Sequence, residues 1–396
     1  MKSLTAFAAL AIAAICCPDA AVFAQTSADV EALLARIERD VRPAADPRGS
    51  PISLEAYMQR LHVQGVSIAV VDSGRIAWTK TYGWADVDGK RRVTPDTRFQ
   101  AAAMSTPVAS TAALRLVEQG RLSLDKDINL ALKSWRLPAN ELTAKTPVTL
   151  RMLLTHMGGF TLTGFPGYAS GAAIPTVPQI LEGVPPANTT AVRVGLEPGT
   201  KWRYSGGGVT IAQLLMTDVT GESFATLVRR LVLDPAGMKS SGYEQPLPDS
   251  LASLAAVGYD DNGVALNGRW RTYPELMDSG MWTTASDLAR YIIEMQRAYA
   301  GHSQMITQAT AQAMLTPGPG PSPGWGLGIE MSGAGNSLRF GHAGANAGYR
   351  GHFVGWVTGG RGIVVLTNGN NGAQVANAII LSIAREYDWP GLGSRR

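Results

Sequence analysis

Phe99-Gln-Ala-Ala-Ala-Met-Ser-Thr-Pro-Val-Ala-Ser-Thr-Ala-Ala-Leu-Arg-Leu-Val-Glu-Gln-Gly-Arg-Leu-Ser-Leu-Asp125 decides the fold. From Pro107 onward, Val108, Ala109, Ala112, Ala113, Leu116 and Val117 recur at helical spacing. Gly120 stops the run, because it meets no steric resistance to the left-handed conformation of a helix end. The segment is apolar almost all round, which predicts a helix buried at the centre of the protein. Read locally, Thr106-Pro107 is a Thr cap followed by Pro in the first helical turn.

Working outward, 396 residues at 45% apolar give ample chain for a large core, as one domain or two interleaved lobes. At the amino terminus, Met1-Lys2 precedes an apolar run from Leu4 to Cys17, then Val22-Phe23-Ala24 before Gln25. A charged start, an apolar centre and small residues at the cut predict a signal peptide over residues 1–24. The run is shorter than the ~20 residues that span a bilayer. Cys16 and Cys17 lie inside this leader, and Ile15 and Cys16 are poor residues to precede a lipidated cysteine. The mature chain then has no cysteine, which excludes disulfides, a thiol nucleophile and a cysteine-ligated metal. The formal net charge is +4, and the leader removes one Lys and one Asp, so the balance is unchanged. Lys90-Arg91-Arg92 reads as a hairpin tip, and no longer basic run suggests a nucleic-acid partner. No later stretch approaches membrane length, so the expectation is a soluble exported protein, periplasmic or secreted.

Residues 25–50 read as an amino-terminal helix and linker, with Val30, Leu33, Leu34, Ile37 and Val41 on one face of Ala28–Val41. A second helix is predicted over Leu54–Leu61, then a hairpin of Val66–Val71 and Ile76–Trp84. Thr149 caps a short helix ending in Met157-Gly-Gly159. Phe160–Pro198 has no sustained period and reads as an irregular, cleft-lining excursion. Helices follow over Val209–Val219, Phe224–Leu233 and Ser286–Tyr299. Strands are predicted at Trp325–Met331, Leu338–Phe340, Gly351–Val357 and Ile363–Leu366, with a closing helix at Ala373–Tyr387. Strands at both chain ends predict one antiparallel sheet, with helices from roughly 100–290 forming a second lobe within a domain of residues 51–390.

Two glycine-rich stretches carry chemistry-bearing side chains. Gly199-Thr-Lys-Trp-Arg-Tyr204-Ser-Gly-Gly-Gly208 leads into a helix, and no Gly-Lys-Ser/Thr follows to make it a phosphate loop. Gly341-His342-Ala-Gly344-Ala-Asn-Ala-Gly-Tyr349-Arg350 sits between two predicted strands. Taken alone, Tyr204 is a packing residue and His342 a structural histidine. His62, His302 and His352 have no metal-like spacing.

With Phe99 and Leu-Val-Glu-Gln-Gly, these stretches resemble, in order, the three motifs of the serine β-lactamase and penicillin-binding protein superfamily. The likeness is to its class C-like esterase and D-aminopeptidase branch, from about Pro51 to Leu381. The resemblance implies an α/β (α+β) fold: an antiparallel sheet flanked by amino- and carboxy-terminal helices, plus an all-helical lobe. That family opens its central helix with Phe-x-x-x-Ser-x-x-Lys, where Ser is acylated and Lys activates it. In the matching register the Ser position is Ala103 and the Lys position is Thr106. Tyr204-Ser-Gly206 matches the second motif, whose Tyr shares the nucleophile's proton; Gly206 stands where Asn is usual. His342-Ala-Gly344 matches the third motif, which lines the cleft wall, and the amide of Ala345 would join that of residue 103 as an oxyanion hole. His156, in Leu-Leu-Thr-His-Met-Gly-Gly, matches a further signature and is expected to shape the cleft wall.

The resemblance therefore implies a serine-hydrolase scaffold without its nucleophile or its Lys, and it implies no cofactor and no metal. Losing the nucleophile alone costs a triad enzyme about as much as losing the whole triad, near ~10⁶ in rate. The expected function is a ligand-binding or regulatory pseudoenzyme for a small-molecule or peptide-like acyl ligand. The alternative is a working hydrolase of ester, amide or β-lactam bonds, using water or the hydroxyl of Ser105, Thr106 or Tyr204. Ser105 stands about 200° round the helix from residue 103, and so should face away from it. Nothing in the pattern sets an oligomeric state.

Overall fold

The structure is a computed structural model that describes residues 19–43, 46, 48–318 and 324–392. Residues 1–18, most of the expected leader, lie outside the described residues, and its last residues begin a helix at Asp19.

The sheet is built from both chain ends. β1 (Gly65–Asp72) and β2 (Arg75–Asp86) form the predicted hairpin, turning at Ser73 and Gly74, both at positive φ. β3 (Arg91–Arg92) follows, while β4 (Phe99–Gln100) makes a separate two-stranded ladder with β5 (Trp282–Thr283). From the far end come β6 (Glu330–Ser332), β7 (Arg339–Asn346), β8 (Tyr349–Trp356) and β9 (Gly362–Thr367). The seven-stranded order is β3-β2-β1-β9-β8-β7-β6, antiparallel throughout, and β1 meets β9 from Val66↔Thr367 to Val71↔Gly362.

Side chains of a strand alternate between faces, and here both faces are covered. Val66, Ile68 and Val70 belong to one apolar cluster, Ala69 and Val71 to the other; β9 splits the same way, with Ile363 and Val365 against Val364 and Leu366. The first cluster holds α1 (Asp19–Arg39), α2 (Leu54–Arg60) and the closing helix Gly372–Glu386. The second is centred on α3 (Ser105–Glu118), buried from Ser105 to Leu114 as its apolar run predicts. Each large aliphatic side chain so buried contributes roughly 1.5–3 kcal/mol. Around α3 stand α4 (Glu141–Lys145), α5 (Leu150–Leu154), α6 (Val177–Glu182), α7 (Gly206–Thr220) and α8 (Phe224–Val228), which continues into a π-helical turn. α9 (Leu276–Ser279), α10 (Ala285–Tyr299) and α11 (Gln308–Met314) complete this layer, and the closing helix is α12.

Three expectations need correction. The segment around His342 is not a link between strands: β7 runs unbroken through it to Asn346. Its glycines are there for close approach, since a Cβ on Gly341 would collide with the Phe353 carbonyl and one on Gly344 with that of Ala101. α5 ends at Leu154, before its glycines, and His156 takes the left-handed conformation at φ 57°. Trp325 lies outside β6, bridged to Glu330, so the predicted strand Trp325–Met331 shrinks to its last residues.

Candidate functional site

The turn that leads into α3 sets the floor of the site. Ala102 holds φ 51°, a left-handed conformation that costs a non-glycine residue about 1–2 kcal/mol. Ser105 clamps that turn: its Oγ donates to the Ala102 carbonyl and accepts the Met281 amide at 3.0 Å. Ala103 lines a cleft of about 530 Å³ between this turn and the edge of β7, and Tyr204, His342, Gly344 and Ala345 line it too. The close approach allowed by Gly344 brings β7 against the turn.

Thr106 does not reach the cleft. It is fully buried, and its hydroxyl donates to the Met277 carbonyl at 3.2 Å, under α9. Gly206, at the start of α7, lies under Asp278: a Cβ there would sit 2.9 Å from the carboxyl. Ser205 caps α7, its Oγ accepting the Gly208 amide, which fixes Tyr204 just ahead of the helix.

Tyr204, Trp325 and His342 line one side of the cleft, and His156 and Trp202 pack behind them rather than lining it. The His156 ring is 4.3 Å from Tyr204 and 4.9 Å from Trp325; Trp325 is 5.4 Å from His342 and 5.6 Å from Trp202. His156 Nδ1 accepts the Ser205 amide, which assigns the proton to Nε2. His342 Nδ1 lies 2.6 Å from the Ala343 carbonyl, so there the proton is on Nδ1. Burial pushes His156 down to about 3 and His342 to about 4, so both rings are neutral at physiological pH. Burial, helped by the charge of Asp278, raises the Tyr204 phenol well above its usual value, and it stays protonated.

Sequence reasoning missed Asp278, Ser279, Trp202 and Trp325. Asp278 lines the cleft, is 4% exposed and accepts the Ser279 Oγ at 2.8 Å through Oδ2; its Oδ1 has no partner. Burial raises its carboxyl to about 6. No motif marked it, since Asp278-Ser-Gly falls in the unassigned stretch between the predicted helices Phe224–Leu233 and Ser286–Tyr299. Among the described residues, no group of three His, Cys, Asp or Glu side chains is arranged to hold a metal.

An antiparallel sheet covered on both faces, with a cleft where the lead-in to α3, the Tyr204 turn and β7 converge, defines the fold of penicillin-binding proteins. The fold matches the penicillin-binding protein from Bacillus halodurans with a TM-score of 0.67 at 22% identity, covering 84% of this chain and 99% of that one. It also matches the octameric penicillin-binding protein homologue from Pyrococcus abyssi, with a TM-score of 0.65 at 21% identity over 84% and 76%. A family model described as Beta-lactamase matches residues 53–386, and the chain belongs to that family. Curated relatives include Protein flp of Staphylococcus aureus (strain N315), 25% identical over 53% of this chain, and Esterase EstB of Burkholderia gladioli, 27% identical over 50%. The chain spans 40% of the length of Protein flp and 51% of EstB.

Proposed function

We propose that this protein is an exported, non-acylating member of its family: a ligand-binding or regulatory pseudoenzyme whose cleft takes an ester-, peptide- or lactam-like acyl compound without bonding to it. The observation that carries this reading is a methyl group at Ala103, in the register where the family carries Ser, beside neighbouring hydroxyls that are already committed. Ser105 and Thr106 are fully buried and bound to backbone groups. Covalent catalysis needs an oxygen at the substrate and a base for its proton. Here the Lys register holds Thr106, and nothing lowers the Tyr204 phenol. The oxyanion donors inferred at residues 103 and 345 are backbone amides, so the side-chain losses leave them in place. The family relation to an esterase supports an acyl ligand, and the leader-like residues 1–24 support export.

A second reading, turnover by an unusual nucleophile, is favoured by one contact: the Ser279 hydroxyl donates to Asp278, a carboxyl raised towards neutrality. Titration calorimetry with benzylpenicillin, followed by mass analysis of the recovered ligand, separates the two. The first reading expects weak, saturable binding and intact ligand. Consumption of the ligand that stops in Ser279→Ala supports the second.

A further inference from the structure

We propose that the cleft is built for a cation: an acyl ligand bearing a primary ammonium sets that group against the Asp278 carboxylate and the Tyr204 and Trp325 rings. This rests on the binding reading above and narrows its ligand class. The first observation is Asp278 itself, cleft-lining and 4% exposed, with Oδ1 sealed and unpartnered. The Ser279 hydroxyl serves only Oδ2, and a buried carboxylate with one oxygen left without a donor is costly, so the position asks for a cation from outside.

The groups around Asp278 offer none. Glu275, from the same turn, is pushed up to about 8 by burial and is neutral at pH 7. Tyr204 is protonated, and His342 from β7 and His156 beyond α5 are neutral. Thr106 from α3 brings a hydroxyl already given to Met277. Arg350 of β8 also lines the cleft, but its Nη1 donates to the Tyr349 carbonyl at 2.8 Å and to that of Asn346.

The second observation is aromatic. Tyr204 and Trp325 both line the cleft with ring centroids 5.9 Å apart, backed by His156 and Trp202. Ring faces attract a desolvated cation, and neutral imidazoles do not repel it. A carboxylate plus such rings suits an organic ammonium. A divalent ion would need several oxygen or nitrogen ligands, and the described residues gather no such set.

The probes are Nα-acetyl-lysinamide and its Nε-acetylated form, which differ in one ammonium that stays charged from pH 5 to 8. Titration calorimetry on the mature protein at pH 8 should show the free amine binding at least ~10-fold tighter. That preference should fade as pH falls below about 6, where Asp278 takes up its proton. Asp278→Asn should abolish the preference. Equal binding of the two probes at pH 8, or a preference that survives in Asp278→Asn, overturns the inference and leaves the binding reading standing. Binding of neither probe, with benzylpenicillin still bound, likewise overturns this inference alone. Failure of all three ligands overturns both.

Discussion

Ala102 keeps a strained backbone beside a residue that can attack nothing, and the strain is held by Ser105 on one side and by the β7 contact on the other. Ser105→Ala would leave the buried Met281 amide without its acceptor, and should lower stability by about 1–3 kcal/mol in urea unfolding. Benzylpenicillin affinity should not change, because Ser105 belongs to the scaffold; a loss of binding in a fully folded variant would argue otherwise. Asp278 makes a prediction of opposite sign. Its carboxyl ionises near 3.8 in the unfolded chain and about 6 in the fold, so it costs nothing below 3.8 and its full penalty is present above 6. Asp278→Asn should therefore stabilise the protein by roughly 3 kcal/mol at pH 8, the gain shrinking towards zero as pH falls from 6 to 3.8. Thermal unfolding across that range checks both the size and the direction.

β7 joins the sheet to the cleft, and Gly344 is where the two meet. Gly344→Ala would drive a methyl into the Ala101 carbonyl, costing about 1–3 kcal/mol and moving the cleft wall, so a drop in both Tm and acyl-ligand affinity is expected. Elements whose signals are local were legible in the sequence. The cap at Thr149 acts within its own first turn, and the apolar run of α3 is visible without knowing its partners. β7 was misread because its glycines imitate a turn, and the reason for Gly344 is the Ala101 carbonyl, more than 200 positions away in the chain. Trp325 and Asp278 were missed for a related reason. Their importance comes from burial and neighbours that only the assembled layers create, and nothing in Asp278-Ser-Gly marks a sealed carboxyl. The short helix α11 was missed as well, having too few apolar residues for a period to show.

The two ends of the chain meet in the middle of the sheet, so neither end can be lost cheaply. Ending the chain at Asn371 would remove α12, whose Val375, Ile379, Ile380 and Ile383 cover Ile68 and Val365. Four such side chains contribute roughly 6–12 kcal/mol, comparable to the whole stability of a typical domain, so the shortened chain should be insoluble on expression. The cleft depends on the same assembly. Ala103 comes with α3, Tyr204 with α7 and His342 with β7. An otherwise intact scaffold without an acyl acceptor is the central claim, and the most direct measurement is intact-mass spectrometry after incubation with a fluorophosphonate or a fluorescent penicillin. The wild-type mature chain is expected to gain no mass, while the double variant Ala103→Ser, Thr106→Lys should gain one adduct on residue 103. Stoichiometric labelling of the wild type, at Ser105, Thr106, Tyr204 or Ser279, would contradict the account.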